Sequence, residues 1–489
     1  MSLSLAYDIA RSGLATSGSA TSVVARNIQN VGDANGSRKS AEIATREPGG
    51  AYVAGIRTAV NSALLDRVIE SETDFASLQA TVDGLERLEA VVGDPQSGTG
   101  PAALMAELSA ALHAAAQAPQ DELVAGAAIE RSRELAFGLN AAADIVASVR
   151  DDADRGIRQS VAELTRLLGD FEKTNRDIVG GTFAGRDVTD LVDRRNAQLR
   201  GIAQIVGVRA TLRSNNDMVL FTTSGATLFE TVPRKVEVSA GALLPGQAGS
   251  SVRIDGVSLT AGDAVRLGGR IGGLLTLRDE TAVTFGRQLD EMARGLVQAF
   301  AESDQSVAPT SPSLAGLFTF AGGPGLPAAG ILVDGLAAVI EINPGVDPTA
   351  GGNPWRLRDG GMSDPGNPIY LYNPAAFAGF SDRLDALALA LGATQAFDPA
   401  AGLGSGRGLA DFAAASAGWL ADRRATAIDR LEDRQVSGQR VLAAWQDSVG
   451  VNLDDELTSL IALERSYEAS SRLMKTVDSM FDVLLEVTR

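Results

Sequence analysis

Hydrophobic positions recur at intervals of seven over residues 450–489. Leu453, Leu460, Tyr467, Met474 and Phe481 fall on one line, and Leu463, Val477 and Leu484 on its companion, with Glu456 and Ser470 as polar gaps. The repeat predicts an amphipathic helix with an a/d-like seam of about five heptads. Asn452 stands as its N-cap, with Asp455 placed to reach back as in a capping box. Asp454, Asp455 and Glu456 put negative charge at the positive end of the helix dipole. Neither Gly nor Pro interrupts the run after Val451. Such a seam has to be covered, either by the protein's own core or by a partner.

Residues 4–31 predict a second helix with a different stripe. Ala6, Ala10, Gly13, Ser17, Ala20, Val24 and Val31 recur at spacings of three, four or seven. Small residues let another helix approach closely, but they bury too little to hold a helix alone. The stripe fits a helix buried in a globular core. It equally fits one that orders only beside the C-terminal seam or beside neighbouring subunits. Asn35-Gly36 marks a turn, and residues 50–56 alternate as a short strand.

Helical periodicity returns over residues 61–92, with Leu64, Leu65, Val68, Phe75, Leu78, Val82, Leu85 and Leu88 inward, and breaks over 93–101. Further helices are expected at 101–118 and 121–180. The period then changes to two. Residues 208–212, 218–222, 235–238 and 252–254 read as short strands between Asn, Asp and Gly turns, a small β subdomain over 206–267. A Gly-rich start at 268 opens a long helix to about residue 302. Residues 304–408 are rich in Pro, Gly and Ala, with apolar runs at 317–320 and 340–342, and form a reduced, loop-rich outer region. Helix resumes over 409–445. The expected fold is mainly α with a small β subdomain, elongated and multi-domain, its N- and C-terminal helices paired in a coiled-coil-like terminal domain. That terminal domain would combine 1–60 with 446–489. A helical body would combine 61–205, 268–303 and 409–445.

Composition narrows the chemistry. The 489 residues contain no cysteine and a single histidine, His113. Disulfides, thiolate catalysis and multi-histidine metal sites are excluded, and His113 reads as an ordinary helix residue. A net charge of −18 argues against nucleic-acid binding and docking on anionic membranes. No apolar stretch approaches the roughly 20 residues of a membrane span. The N-terminus lacks the basic and apolar regions of a secretory signal, so composition alone points to the cytoplasm. Asp151, Asp152 and Asp154 lack the Gly turn and terminal Glu of a calcium loop. The glycines at 268–273 follow no strand of a βαβ unit, so they are not a dinucleotide loop. Asn35-Gly36-Ser37 fits a glycosylation acceptor but is discounted without a signal peptide. The charged run 187–199 has no accompanying nucleophile. It reads as a helix with intrahelical charge pairs, each worth roughly 0.2–0.5 kcal/mol. No cofactor or metal is expected, and no enzyme activity.

Several residue strings resemble a known family. Val449-Gly450-Val451-Asn452-Leu453-Asp454-Asp455-Glu456, Tyr467-Glu468-Ala469-Ser470 and Val477-Asp478-Ser479-Met480-Phe481 resemble the C-terminal signature of flagellar axial proteins. Arg11-Ser12-Gly13-Leu14 and Asn27-Ile28-Gln29-Asn30 resemble the N-terminal signature of rod, hook and hook-associated proteins. Ser37-Arg38 matches the following turn, although Gly36 stands where the family has Tyr. Asp187 to Leu199 resembles an Asp-Leu-Leu-Asp-x-Arg-Asp-x-Leu block, with Asn196 in place of its second Asp. Residues 268–279 look like a returning helix. This combination is most similar to the hook-associated protein 1 family of the hook–filament junction.

The resemblance implies a structural role. Subunits self-associate in a ring or helical tube between the hook protein and a second junction protein, hook-associated protein 3. They leave the cell through the flagellar type III apparatus with an export chaperone on the C-terminal helix, and reside in the extracellular flagellum. There is no nucleic-acid partner and no membrane insertion. The expected assembly residues are Ala6, Ala10, Gly13, Leu14, Ala20, Val24, Asn27, Ile28 and Asn30 at one end. At the other they are Leu453, Leu460, Leu463, Tyr467, Met474, Val477, Phe481 and Leu484. Alternatives are another axial protein (hook-associated protein 3, flagellin or hook type), a cytoplasmic coiled-coil scaffold, or a soluble enzyme with an all-α body and a β insert.

Overall fold

The computed structural model of the chain describes residues 2–47, 49–92, 98–239, 241–259 and 267–487. Most of the break expected at 93–101 lies outside them. The first helix, α1 (Leu3–Gln29), starts at Ser2, whose hydroxyl accepts from Leu5 N, and ends at Asn30. It is followed by an antiparallel hairpin, β1 (Lys39–Thr45) and β2 (Ala51–Thr58), with a bulge between Glu42 and Ile43. Only the second strand was legible in the sequence. The hairpin lies along α1, where Ser12 Oγ accepts from Ala51 N and Thr16 Oγ1 donates to Ala51 O. Gly50 sits at φ +115°, and a Cβ there would stand 2.5 Å from Ser12 Oγ, so the crossing needs glycine.

The body is built on α2 (Ser62–Val92), α3 (Pro101–Gln117), α4 (Glu122–Phe183) and α5 (Thr189–Ile205). At 62 residues α4 runs about 93 Å. Its buried residues keep three-and-four spacing from Ala125 to Gly181, so one stripe faces the core along the whole helix. Two small sheets follow, in strand order β3-β4-β5-β6 and β7-β8-β9. The first contains β3 (Val208–Leu212), β4 (Met218–Thr222), β5 (Thr227–Glu230) and β6 (Val232–Pro233), and the second β7 (Val236–Val238), β8 (Val252–Ile254) and β9 (Val257–Leu259). Then come α6 (Gly269–Thr276), a π-helical turn (Leu277–Thr281) and α7 (Ala282–Ala299), one continuous helical run.

This run passes between two hydrophobic cores. Ile271 and Leu275 pack with Ile157, Leu164 and Phe171 of α4, with Leu199 and Ile202 of α5, and with the first sheet. Phe171 meets Phe229 edge to face at 5.1 Å. Beyond the π turn, Phe285, Leu289, Met292 and Leu296 pack with α2, α3 and the first half of α4. The turn also buries Arg278, whose guanidinium is held by Asp154, Asp279 and Ser250 O. Burial alone would lower the Arg278 pKa, but the two carboxylates more than offset it and raise it. The Arg278 carbonyl accepts from Arg150, which also donates to Leu244 O and Gln247 O and so ties the β7–β8 loop to the body.

Residues 304–408, expected as a loop-rich outer region, contribute to the first core. β10 (Phe318–Phe320) pairs with β11 (Ile340–Ile342). Leu317, Phe318, Leu336, Ile340, Val346, Leu357 and Met362 share the cluster of α3, α4 and α7. Fully buried Glu302 clamps the segment by accepting from Met362 N, Ser363 N and Arg383. Asp290 of α7 accepts from Gly335 N and Ala337 N, each at 2.8 Å. α8 (Asp382–Ala390) and α9 (Leu409–Val449) complete the body. α9 stops at Gly450, and α10 (Leu453–Val487) starts with Asn452 Oδ1 accepting from Asp454 N.

Candidate assembly interface

The two terminal helices lie antiparallel against each other. Gly13 faces Ser470, Ser17 Oγ reaches Ser466 Oγ at 3.2 Å, and Asn27 reaches Glu456. Small residues set the spacing: a Cβ on Gly13 would come within 2.9 Å of Ser470 Oγ. Among the expected residues, Ala10, Ala20, Val24, Asn27 and Val477 are buried. Ala6, Gly13, Leu14, Ile28, Asn30, Leu460, Leu463, Met474 and Phe481 are half-buried. Leu453, Tyr467 and Leu484 are 42%, 47% and 51% exposed, so they lie largely outside the contact within the chain.

The polar gaps belong to the contact. Glu456 is 1% exposed. Its carboxylate accepts from Arg38 Nε at 2.7 Å and from Asn27 Nδ2 at 3.0 Å. Asn27 in turn donates to Lys39 O and accepts from Lys39 N, docking the start of the hairpin on α1. Heptad reading missed Glu456, Arg38 and Lys39 as contact residues. The only available signal was a buried-type position filled by an acid in a chain with basic residues after the Asn35-Gly36 turn.

The acids of the 187–199 block do not form the intrahelical pairs expected of them. Among the described residues no ion pair joins two residues of α5; they reach outward to the terminal segment instead. Arg26 pairs with Asp187 at 3.0 Å and with Asp190 at 3.7 Å. Lys39, 1% exposed at its side chain, pairs with Asp190 and, at 3.4 Å, with Asp193. Asp193 also accepts from the Ser37 amide and hydroxyl. Burial raises the Asp193 pKa, opposed by Ser37 and Lys39. Burial would also raise that of Asp187, but the Thr189 amide and hydroxyl and Arg26 hold it below the ordinary range. Arg195 turns inward to Asn175 and Asn216 O, and burial lowers its pKa to about 10.

The outward surfaces of the pair differ. On α1 the exposed residues include Asp8, Arg11, Ala15, Gly18, Ser19, Ser22 and Ala25, small or polar. On α10 they include Leu453, Leu457, Ile461, Leu473, Met480 and Val483, each at least 42% exposed. A shallow apolar groove between the helices is lined by Leu3, Met480, Val483 and Leu484. No group of three or more metal-ligating side chains occurs among the described residues, and no described helix is long and apolar enough to cross a membrane.

The terminal pair thus carries an uncovered apolar ridge beside a helical body, and sequence comparison shows which proteins this chain resembles. Residues 85–307 match the family model for the helical domain of flagellar hook-associated protein FlgK, and residues 447–487 match that for the C-terminal region of flagellar basal body rod FlgEFG proteins. Over these residues the chain is similar to flagellar hook-associated and axial structural proteins. The flagellar hook junction protein FlgK from Burkholderia pseudomallei is similar in structure, with 19% identity and a TM-score of 0.44 over 52% of this chain. The chain matches about half of that protein's length, 47%. No curated protein sequence matches it.

Proposed function

We propose that the protein is a non-catalytic subunit of the hook–filament junction that self-associates through its terminal helices into a ring or helical tube. The observation carrying this reading is the apolar ridge of α10, left exposed on a helix pair outside both cores. Head-to-tail contacts between identical subunits close into rings or open into helices, and many weak lateral contacts add to a strong one. The expected assembly residues divide accordingly. Leu453, Tyr467 and Leu484 face neighbouring subunits, while Ala10, Ala20, Val24, Asn27 and Val477 hold the pair together. The terminal unit combines 1–60 with 446–489, and the remaining residues form the outward body. The hook protein and hook-associated protein 3 are the axial neighbours. Export proceeds through the flagellar type III apparatus to the extracellular flagellum, with a chaperone shielding the α10 ridge beforehand.

Ile461→Asp tests the reading, because Ile461 is 50% exposed and the change leaves the packed faces intact. The variant should match the unmodified monomer in stability within about 0.5 kcal/mol. It should fail to form junctions in cells lacking the unmodified chain, as scored by filament attachment and electron microscopy. Normal junctions built from this variant overturn the proposal.

A further inference from the structure

Among the described residues neither terminal helix packs lengthwise along a helix of the body: α1 lies chiefly against α10, β1 and β2, and α10 against α1. The two large apolar clusters lie in the body, and a small third one, Val68, Trp445 and Val449 with Ala59 packed on it, sits where the terminal unit joins the body; among the described residues none contains a residue of α1 or α10. Two short chain crossings join the parts. One runs through Ala59, Val60 and Asn61 between β2 and α2, the other through Gly450, Val451 and Asn452 between α9 and α10. A few hydrogen bonds accompany them, including Arg38 N to Val449 O at 2.7 Å and Asn61 Nδ2 to Ser448 Oγ at 3.0 Å. Beside the crossings the small apolar cluster of Val68, Trp445 and Val449 with Ala59 holds the pivot, and away from it the terminal unit meets α5 through ionic and polar side-chain contacts. Asp187 just before α5, and Asp190 and Asp193 in its first turns, lie three residues apart and face Arg26, Ser37 and Lys39. Further along α5, Arg200 donates to Asn35 Oδ1 at the turn, pairs with Glu72 of α2 and lies 5.9 Å from the Trp445 ring of α9.

We infer that this acidic face of α5 is an ionic latch: it sets the angle at which the terminal helix pair leaves the body, and its release lets the pair swing as a rigid unit about the two crossings. An apolar seam would fix that angle as firmly as the cores are fixed. A charged joint holds one orientation by direction-specific pairing but yields when a partner charge is lost. Its outer pair, Arg26 with Asp190, is 34% and 65% exposed, so it is also open to screening, whose length is about 8 Å at physiological salt. The inner pair of Lys39 with Asp193 is sheltered. The latch therefore has a labile outer part and a firm inner part. The inference concerns one chain and stands apart from assembly.

The chain lacks cysteine, so spin labels can be placed on Ala15→Cys in α1 and Lys173→Cys in α4 of the full-length monomer. Double electron–electron resonance should give one narrow distance distribution. Asp190→Asn combined with Asp193→Asn should at least double its width, while Asp190→Glu keeps it narrow. Arg26→Gln with Asp190→Asn alters only partly exposed side chains and should broaden it to a lesser degree. Circular dichroism of each variant confirms that helix content is retained. Narrow, superimposable distributions for both neutralised variants overturn the latch. Broadening by Asp190→Glu equal to that of the neutral variants also overturns it, since shape rather than charge would then be responsible.

Discussion

Asp290 is a carboxylate 5% exposed whose hydrogen-bond donors are two backbone amides. Burial raises its pKa from 3.8 to about 6; the amides of Ala337 and Gly335 oppose the rise, and nearby Asp334 and Glu291 add to it. The folded chain therefore binds this proton more tightly than the unfolded chain does. Its contribution to stability is fully present below the unfolded value and is lost as pH rises towards the folded one, by at most roughly 1.4 kcal/mol per unit. Asp290→Asn removes the titration. The melting temperature of the unmodified chain relative to that variant should rise as pH falls from 7.5 to 5. A difference independent of pH would show that Asp290 does not titrate in this range. None of this was legible in the sequence, where Asp290 is one acid among 61 acidic residues. Glu456 was equally hidden. Heptad reading scores it as a gap because its partners Asn27 and Arg38 are more than 400 residues away.

At the scale of elements, glycines separate close packing from mere tolerance. A Cβ on Gly273 of α6 would lie 2.1 Å from the backbone oxygen of Ser77 in α2, which a side-chain rotation cannot relieve. One on Gly286 of α7 would meet Val146 Cγ1 at 3.5 Å, an ordinary contact. Gly273→Ala should cost about 1–3 kcal/mol by overpacking. Gly286→Ala should gain up to about 1 kcal/mol from helix propensity. Urea unfolding compares them, and equal effects would mean that the α2–α6 contact is loose. The sequence showed the long helices because their apolar stripes repeat over many turns. It marked 268–273 as the start of a helix but not the neighbour that makes glycine necessary there. β1 escaped because Lys39–Thr45 mixes charged and small residues with one large apolar side chain, Ile43, which is 55% exposed. Segment 304–408 read as loops because Leu317, Leu336, Val346 and Met362 reach the core at irregular spacings.

At the scale of the whole molecule, the cores hold the body and leave the terminal pair to its own small contact. Removing residues 453–489 should therefore lower the melting temperature of the body by no more than about 1 °C, the shift that about 1 kcal/mol produces in a chain of this size. Calorimetry checks it, and a larger fall would mean that α10 supports the cores. The mutual dependence of the ends was readable, since a small-residue stripe and a heptad seam are complementary patterns. The joint between them and the body was not, because pairing across 150 residues leaves no local period. The continuous run from Gly269 to Ala299 has a different consequence. It behaves as one shaft carrying two gears, meshed with the second core before the π turn and with the first core after it. The widened turn sets the phase between them. Losing a single residue there would rotate one gear against the other by about 100°, so that neither set of teeth could engage while the other did. A change in chain length at 277–281 is thus a change in the rotational phase between the two halves of the body, whereas the same change in an exposed loop would be absorbed where it occurs.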